Sequence, residues 1–166
     1  MADNNSERSI NHRSIKLNMN LNRRKKVLFI CTHNSARSQM AEGVINKKHS
    51  GRYEAFSAGT NPTNVNPYAI DVMREIGIDI SKNKSKGIDE FRGVDFDYVV
   101  TVCDDAKEAC PTFPGGKKYI HKSFLDPSSF NVSDVKKIDI FRQVRNEIID
   151  WIDKTFVKES KKSLQN

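Results

Sequence analysis

Unbroken apolar runs alternate along the chain with stretches whose apolar positions repeat at helical spacing. After Lys26, Val27-Leu28-Phe29-Ile30-Cys31 is a continuous apolar run that ends in a polar loop, the pattern of a strand buried on both faces. A helix is predicted from about Arg37 to His49, with Met40, Ala41, Val44 and Ile45 on one face. Tyr53–Ser57 reads as a second strand closed by Ala58-Gly59. Asn66-Pro67 starts a helix, with proline at its first position. Ile70, Met73 and Ile76 form its stripe, and Gly77 stops it. Phe96–Val102 is a third buried strand and Lys118–His121 a shorter fourth. The last helix begins near Ser133-Asp134 and carries Phe141, Val144, Ile148, Trp151 and Ile152 at helical spacing, which assigns Trp151 to core packing. Strands alternating with helices imply an α/β fold, a doubly wound, four-stranded parallel sheet with helices on both faces. Ligands of such sheets bind beyond the carboxyl ends of the strands. Cys31 closes the first strand and Cys103 the third, so both are expected at that place.

The length of 166 residues suits one domain. The pattern bounds a single catalytic domain at 26–157, between a disordered basic tail at 1–25 and a flexible tail at 158–166. No apolar run reaches the eighteen residues of a membrane-spanning helix. The first 26 residues have no apolar core of a secretory signal, and a cytoplasmic location is expected. Residues 1–26 hold seven basic and two acidic side chains, so +5 of the net +7 belongs to this segment. The body is nearly balanced, and the expectation is a solvated extension on a monomer, with no nucleic-acid and no membrane partner. Three cysteines, Cys31, Cys103 and Cys110, are an odd count that argues against a disulfide framework. No CxxC pair exists and no histidine stands two to four residues from Cys103 or Cys110, so no metal site is expected.

The segment Cys31-Thr32-His33-Asn34-Ser35-Ala36-Arg37-Ser38 joins a buried strand to a helix N-terminus. Backbone N–H groups there have no intrahelical acceptors and converge on an anion, aided by the helix dipole. Thr32 to Arg37 are therefore the candidate substrate-binding residues, and Arg37 adds a planar fork for two oxyanion oxygens. This positive potential favours the thiolate of Cys31, to which Ser38 can donate a hydrogen bond. Six helix-favouring residues separate Cys103 from Cys110. In a helix the two would lie about 10 Å apart along the axis, beyond the roughly 7 Å between Cα atoms that a disulfide spans. They could pair only if the segment unwinds. Asp126-Pro127, taken alone, is a turn.

The run Cys31-Thr-His-Asn-Ser-Ala-Arg-Ser-Gln-Met-Ala-Glu-Gly43 closely resembles the active-site loop of arsenate reductases built on the low-molecular-weight tyrosine phosphatase fold. The resemblance continues through Tyr53–Gly59, Gly77–Ser81, Val99–Cys103, Cys110-Pro111 and Asp126-Pro127, and covers roughly Lys26 to Phe156. It implies a thioredoxin-coupled arsenate reductase with Cys31, Cys103 and Cys110 as a thiol relay and arsenate as the oxyanion. Arg37 and Ser38 would serve Cys31, Asp126 would be the general acid, and reduced thioredoxin would be the electron donor with no bound cofactor. A low-molecular-weight tyrosine phosphatase working through a Cys31 phosphoenzyme is the alternative that the same loop allows. Paired tyrosines flank the Asp-Pro of those phosphatases, whereas Ser128-Ser129-Phe130 follows it here. Ala36 replaces a cysteine and His33 a glycine common in relatives. Some relatives bind potassium through residues matching Asn34, Glu42 and Ser57 plus an Asp at the position of Lys86. The Lys86 ammonium either takes the ion's place beside Glu42 or is solvated.

Overall fold

The computed structural model describes residues 23–103 and 112–162, with side chains as far as Lys158. Four strands run in chain order: β1 Lys25–Cys31, β2 Tyr53–Gly59, β3 Phe96–Thr101 and β4 Gly116–His121. Three α-helices accompany them: α1 Arg37–Lys48, α2 Pro67–Arg74 and α3 Asp134–Lys162. Short 3-10 turns occupy Ile88–Phe91 and Pro127–Ser129. The sheet is wholly parallel with strand order β2-β1-β3-β4. None of the described helices is long and apolar enough to cross a membrane. The helix expected between Cys103 and Cys110, and Cys110 itself, lie outside the described residues.

β1 is central, and its unbroken apolar run is explained by cover on both faces. Val27 and Phe29 join a large cluster with Met40, Val44 and Ile45 of α1, Val72 and Met73 of α2, and Phe141, Ile148 and Phe156 of α3. Leu28 and Ile30 face a smaller cluster with Phe96, Val99 and Phe113, against which Ile88 and Phe91 of the 3-10 turn pack. Among the described residues all three α-helices contribute to the first cluster, and Val94, Phe113 and the 3-10 turn contribute to the second. A buried Leu or Phe side chain is stabilised by about 1.5–3 kcal/mol, so these two clusters hold β1 in place at the level of its Cys31 end.

The stripe predicted for α2 is only partly realised. Its Asn66 cap accepts from Tyr68 N, and Pro67 occupies the first turn. The helix ends at Arg74, and Ile76 is exposed rather than packed. Gly77 takes φ +76°, which lets Ile78 N reach Met73 O and Gly77 N reach Arg74 O. This left-handed closure turns Ile78, not Ile76, into the core. Trp151 is half-buried and packs edge-on against Phe124 and Phe156. The fourth strand begins two residues earlier than expected, at Gly116.

At the amino ends of the strands, Asp97 accepts hydrogen bonds from Lys26 N at 2.8 Å, Arg23 at 3.0 Å and Lys117 at 3.1 Å. Burial raises its carboxyl, but these three donors outweigh burial and hold it below the ordinary carboxylate value. A depressed carboxyl contributes stability above its unfolded pKa that is lost as pH falls through the folded value. Asp97→Asn should therefore lower the melting temperature at pH 7 by about 2–4 °C for each kcal/mol lost, with the gap to wild type closing below about pH 4. At the opposite ends of the strands, β2 terminates in Gly59, and a Cβ there would meet Thr32 O at 2.6 Å and Asn34 N at 2.8 Å. The chain after β1 lies directly on this glycine. Gly59→Ala should cost at least about tenfold in affinity for a tetrahedral oxyanion measured by calorimetry, because the backbone that would move belongs to that loop.

Candidate active site

The loop from Thr32 to Ala36 leaves β1 and enters α1, whose first turn holds no acidic side chain. The cap residue Ala36 makes no side-chain hydrogen bond, so the helix's positive end stays uncompensated by protein. Neighbouring chain holds the loop's carbonyls from outside. Asn61 N reaches Thr32 O at 2.8 Å, Thr63 N reaches His33 O at 3.2 Å, and Asn66 N reaches Ser35 O at 2.9 Å. Ser85 Oγ donates to His33 O and Asn34 O at 2.7 and 3.0 Å. With these carbonyls engaged by neighbouring chain, Asn34 N–H points at the Cys31 sulfur at 3.2 Å.

Cys31 is almost fully buried at the base of this loop. Ser38, on the first turn of α1, places its Oγ 2.9 Å from the Cys31 sulfur. Asn34 adopts φ +48° and is completely buried. Its Oδ1 accepts from Lys86 N at 2.8 Å and Gln39 Nε2 at 2.9 Å, and its Nδ2 donates to Ser38 Oγ at 2.8 Å. Asn34 N–H and Ser38 Oγ thus both lie within hydrogen-bond distance of one sulfur.

Arg37 is 3% exposed and its guanidinium is aimed by two contacts. Nη1 donates to Phe124 O at 3.2 Å, and Nη2 lies 3.7 Å from Asp126 Oδ2. Phe124 is itself fixed by Trp151 on one side and by the Lys122 ammonium 5.5 Å above its ring. Asp126 Oδ1 caps the Pro127–Ser129 turn by accepting from Ser128 N and Ser128 Oγ. Its other oxygen is therefore the one directed to Arg37. Cys103 stands two residues beyond β3 and is fully buried. Its sulfur contacts Ile30 O at 3.9 Å, and Val102 N donates to the same carbonyl at 2.9 Å. The second thiol is consequently packed beside the residue that precedes Cys31.

Of the residues singled out from sequence, Asn34 and Ser38 meet Cys31, Arg37 meets Asp126, and Cys103 packs against Ile30. Thr32, His33, Ser35 and Ala36 contribute backbone. Gln39, Asn83, Ser85 and the Phe124 carbonyl were missed. Gln39 is fully buried, yet it follows the loop as an ordinary polar residue would, and its partner Asn83 lies 44 positions away. No short-range signal could have found that pair.

Beneath the loop, burial pushes the Glu42 carboxyl up, only partly offset by Lys86 and Ser57. The Ser57 hydroxyl donates to Glu42 Oε2, and Lys86 Nζ lies 3.7 Å from the same oxygen. The ammonium stands among the donors that would hold a cation, so this set does not fit a bound potassium ion.

A family model described as low molecular weight phosphotyrosine protein phosphatase matches residues 26–166. An arsenate reductase of Halalkalibacterium halodurans is 43% identical over 138 residues, which span 83% of this chain and 99% of that protein. A solved structure titled as an arsenate reductase in the phosphate-binding state aligns with TM-score 0.69 at 33% identity, over 81% of this chain and 98% of that one. A thioredoxin-dependent arsenate reductase of Corynebacterium glutamicum aligns with TM-score 0.54 at 29% identity, over 86% of this chain and 62% of that one. A parallel sheet of this order, a cysteine under an anion loop and a match through nearly the whole described chain lead to one assignment: the chain belongs to the low molecular weight phosphotyrosine protein phosphatase family.

Proposed function

We propose that the protein reduces arsenate to arsenite by a relay of three thiols, within a catalytic domain spanning residues 26–157. The observation that carries this reading is the fully buried Cys103 packed against Ile30, next to the nucleophile's own residue. Phosphate-ester hydrolysis needs one thiol, whereas two-electron reduction of an oxyanion needs a second thiol within reach. The relatives named as arsenate reductases support the same reading.

The placement of Cys31, Arg37, Asp126 and Cys103 supports the following steps. The Cys31 thiolate attacks arsenic(V) held by the loop's N–H groups and the Arg37 fork, and an S–As bond replaces an As–O bond. Asp126 gives a proton to the departing oxygen, which leaves as water. The Cys103 sulfur then attacks the Cys31 sulfur. An S–S bond forms, the electron pair of the S–As bond passes to arsenic, and arsenic(III) leaves as arsenite. Cys110 next attacks Cys103, freeing Cys31 as thiolate and leaving a Cys103–Cys110 disulfide. A dithiol of the thioredoxin class reduces that disulfide by exchange. The relay works only where thiols are kept reduced, which supports a cytoplasmic setting.

Hydrolysis of phosphate esters is the second reading, favoured by Cys31, Arg37 and Asp126 being the complete set that hydrolysis requires. Arsenite release separates the two. With no external donor, one equivalent of arsenate should consume two thiols for each arsenite released by wild type. Cys103→Ser should release none while retaining hydrolysis of p-nitrophenyl phosphate. Stoichiometric arsenite from Cys103→Ser would refute the relay. Iodoacetamide near pH 6 should label Cys31 faster than the other thiols, with phosphate or arsenate protecting it. Equal labelling of all three thiols, unaffected by oxyanion, would remove Cys31 from the mechanism.

A further inference from the structure

The hydrogen bonds that reach the Cys31 sulfur extend well behind the loop, and they all run in one direction. Asn83 Nδ2 donates to Gln39 Oε1 at 3.1 Å. Gln39 Nε2 donates to Asn34 Oδ1 at 2.9 Å. Asn34 Nδ2 donates to Ser38 Oγ at 2.8 Å, and Ser38 Oγ lies 2.9 Å from the Cys31 sulfur.

An amide side chain can be turned end for end, so the direction has meaning only where backbone groups set it. Here they do. Lys86 N–H, which can only donate, holds Asn34 Oδ1 and leaves Asn34 Nδ2 for Ser38. The carbonyls Asn34 O and Lys84 O, which can only accept, lie 3.2 and 3.0 Å from Gln39 Nε2. They fix the Gln39 amide with Oε1 towards Asn83, so Asn83 must present its NH₂. Ser38 Oγ already receives a hydrogen from Asn34, and its own hydrogen is left for the sulfur. Gln39, Asn34 and Ser38 are all fully buried, where chained hydrogen bonds strengthen one another and a reversed dipole has no water to relieve it.

We propose that Asn83 is a positioning residue for the nucleophile, acting through the orientation of the Gln39 amide on the donor strength of Ser38 toward Cys31. The inference rests on Cys31 being the nucleophile, as proposed above. Asn83 touches none of the reacting atoms. It is half-buried and lines an open cleft of about 370 Å³ between α1 and the 77–83 turn, so a carboxylate of the same shape fits there without displacing packed side chains.

Two variants separate donor direction from simple loss of a contact. Asn83→Ala removes the outermost link and leaves the backbone carbonyls still orienting Gln39. Asn83→Asp, when ionised, sets a carboxylate against Gln39 Oε1 and favours the turned amide, which then opposes Asn34 O, Asn34 Oδ1 and Lys84 O. The readout is the rate of Cys31 alkylation by iodoacetamide, mapped by mass spectrometry and expressed as the ratio of variant to wild type from pH 5 to 8. Asn83→Asp should lower the ratio about tenfold near pH 6, the scale of one hydrogen bond to a charged group, with the loss narrowing towards pH 8, because donors to a thiolate matter least where the pH alone favours it. Asn83→Ala should give a smaller loss at the same pH. A ratio near one for Asn83→Asp at every pH overturns the proposal, and so does an equal loss in both variants near pH 6. If wild-type Cys31 is not the fast thiol, the failure lies in the proposed function rather than in Asn83.

Discussion

A single buried asparagine holds the site together. Asn34 adopts a left-handed backbone that costs a non-glycine residue about 1–3 kcal/mol, and that conformation aims its N–H inward at the Cys31 sulfur. The cost is offset by hydrogen bonds from parts of the chain far apart in sequence: Lys86 N and Gln39 to its side chain, Gln39 and Ser85 to its carbonyl. Every later feature of the loop depends on this residue. Its amide supports Ser38, its carbonyl lets Ser85 brace the outer edge, and its backbone lies against Gly59, where no side chain would fit.

The fold supplies the rigid frame that such a constraint requires. β1 carries Cys31 between two apolar clusters, so the sulfur cannot withdraw along the strand without exposing Phe29 or Ile30. β3 brings Cys103 to the same level through the carbonyl of Ile30. From the other side, Trp151 on α3 presses Phe124 into place, and Phe124 offers its carbonyl to Arg37 while Asp126 faces the same guanidinium. Helix α3 therefore reaches the chemistry through packing, although none of its residues touches the loop's sulfur. The first turn of α1 carries no acidic side chain, and Arg37 is buried beside Asp126.

Much of this was legible in the sequence, for a physical reason. A buried parallel strand must be apolar on both faces, and Val27–Cys31 and Phe96–Val102 announce themselves on that ground alone. Asn66-Pro67 and Gly77 mark the ends of α2 through backbone chemistry that is local to each residue. Ile76 misled, because periodicity cannot tell where a left-handed closure ends a helix two residues early. Cys31, Arg37 and Ser38 were readable since the loop and helix start are contiguous in sequence. Gln39, Asn83 and Ser85 were not, because the hydrogen bonds between them and Asn34 join residues up to 51 positions apart, and nothing in a buried Gln distinguishes it from a solvated one. Lys86 was noticed only through resemblance, and its contact with Glu42 gives that departure a structural meaning.

The claim at the centre of this account is that Cys31 starts a reduction rather than a hydrolysis. Purified full-length protein mixed with arsenate, thioredoxin, thioredoxin reductase and NADPH tests it directly, with NADPH oxidation followed by absorbance. The account predicts sustained, arsenate-dependent NADPH oxidation, with one arsenite formed for each NADPH consumed. Steady hydrolysis of p-nitrophenyl phosphate by the same preparation, with no arsenate-dependent NADPH oxidation, would contradict it.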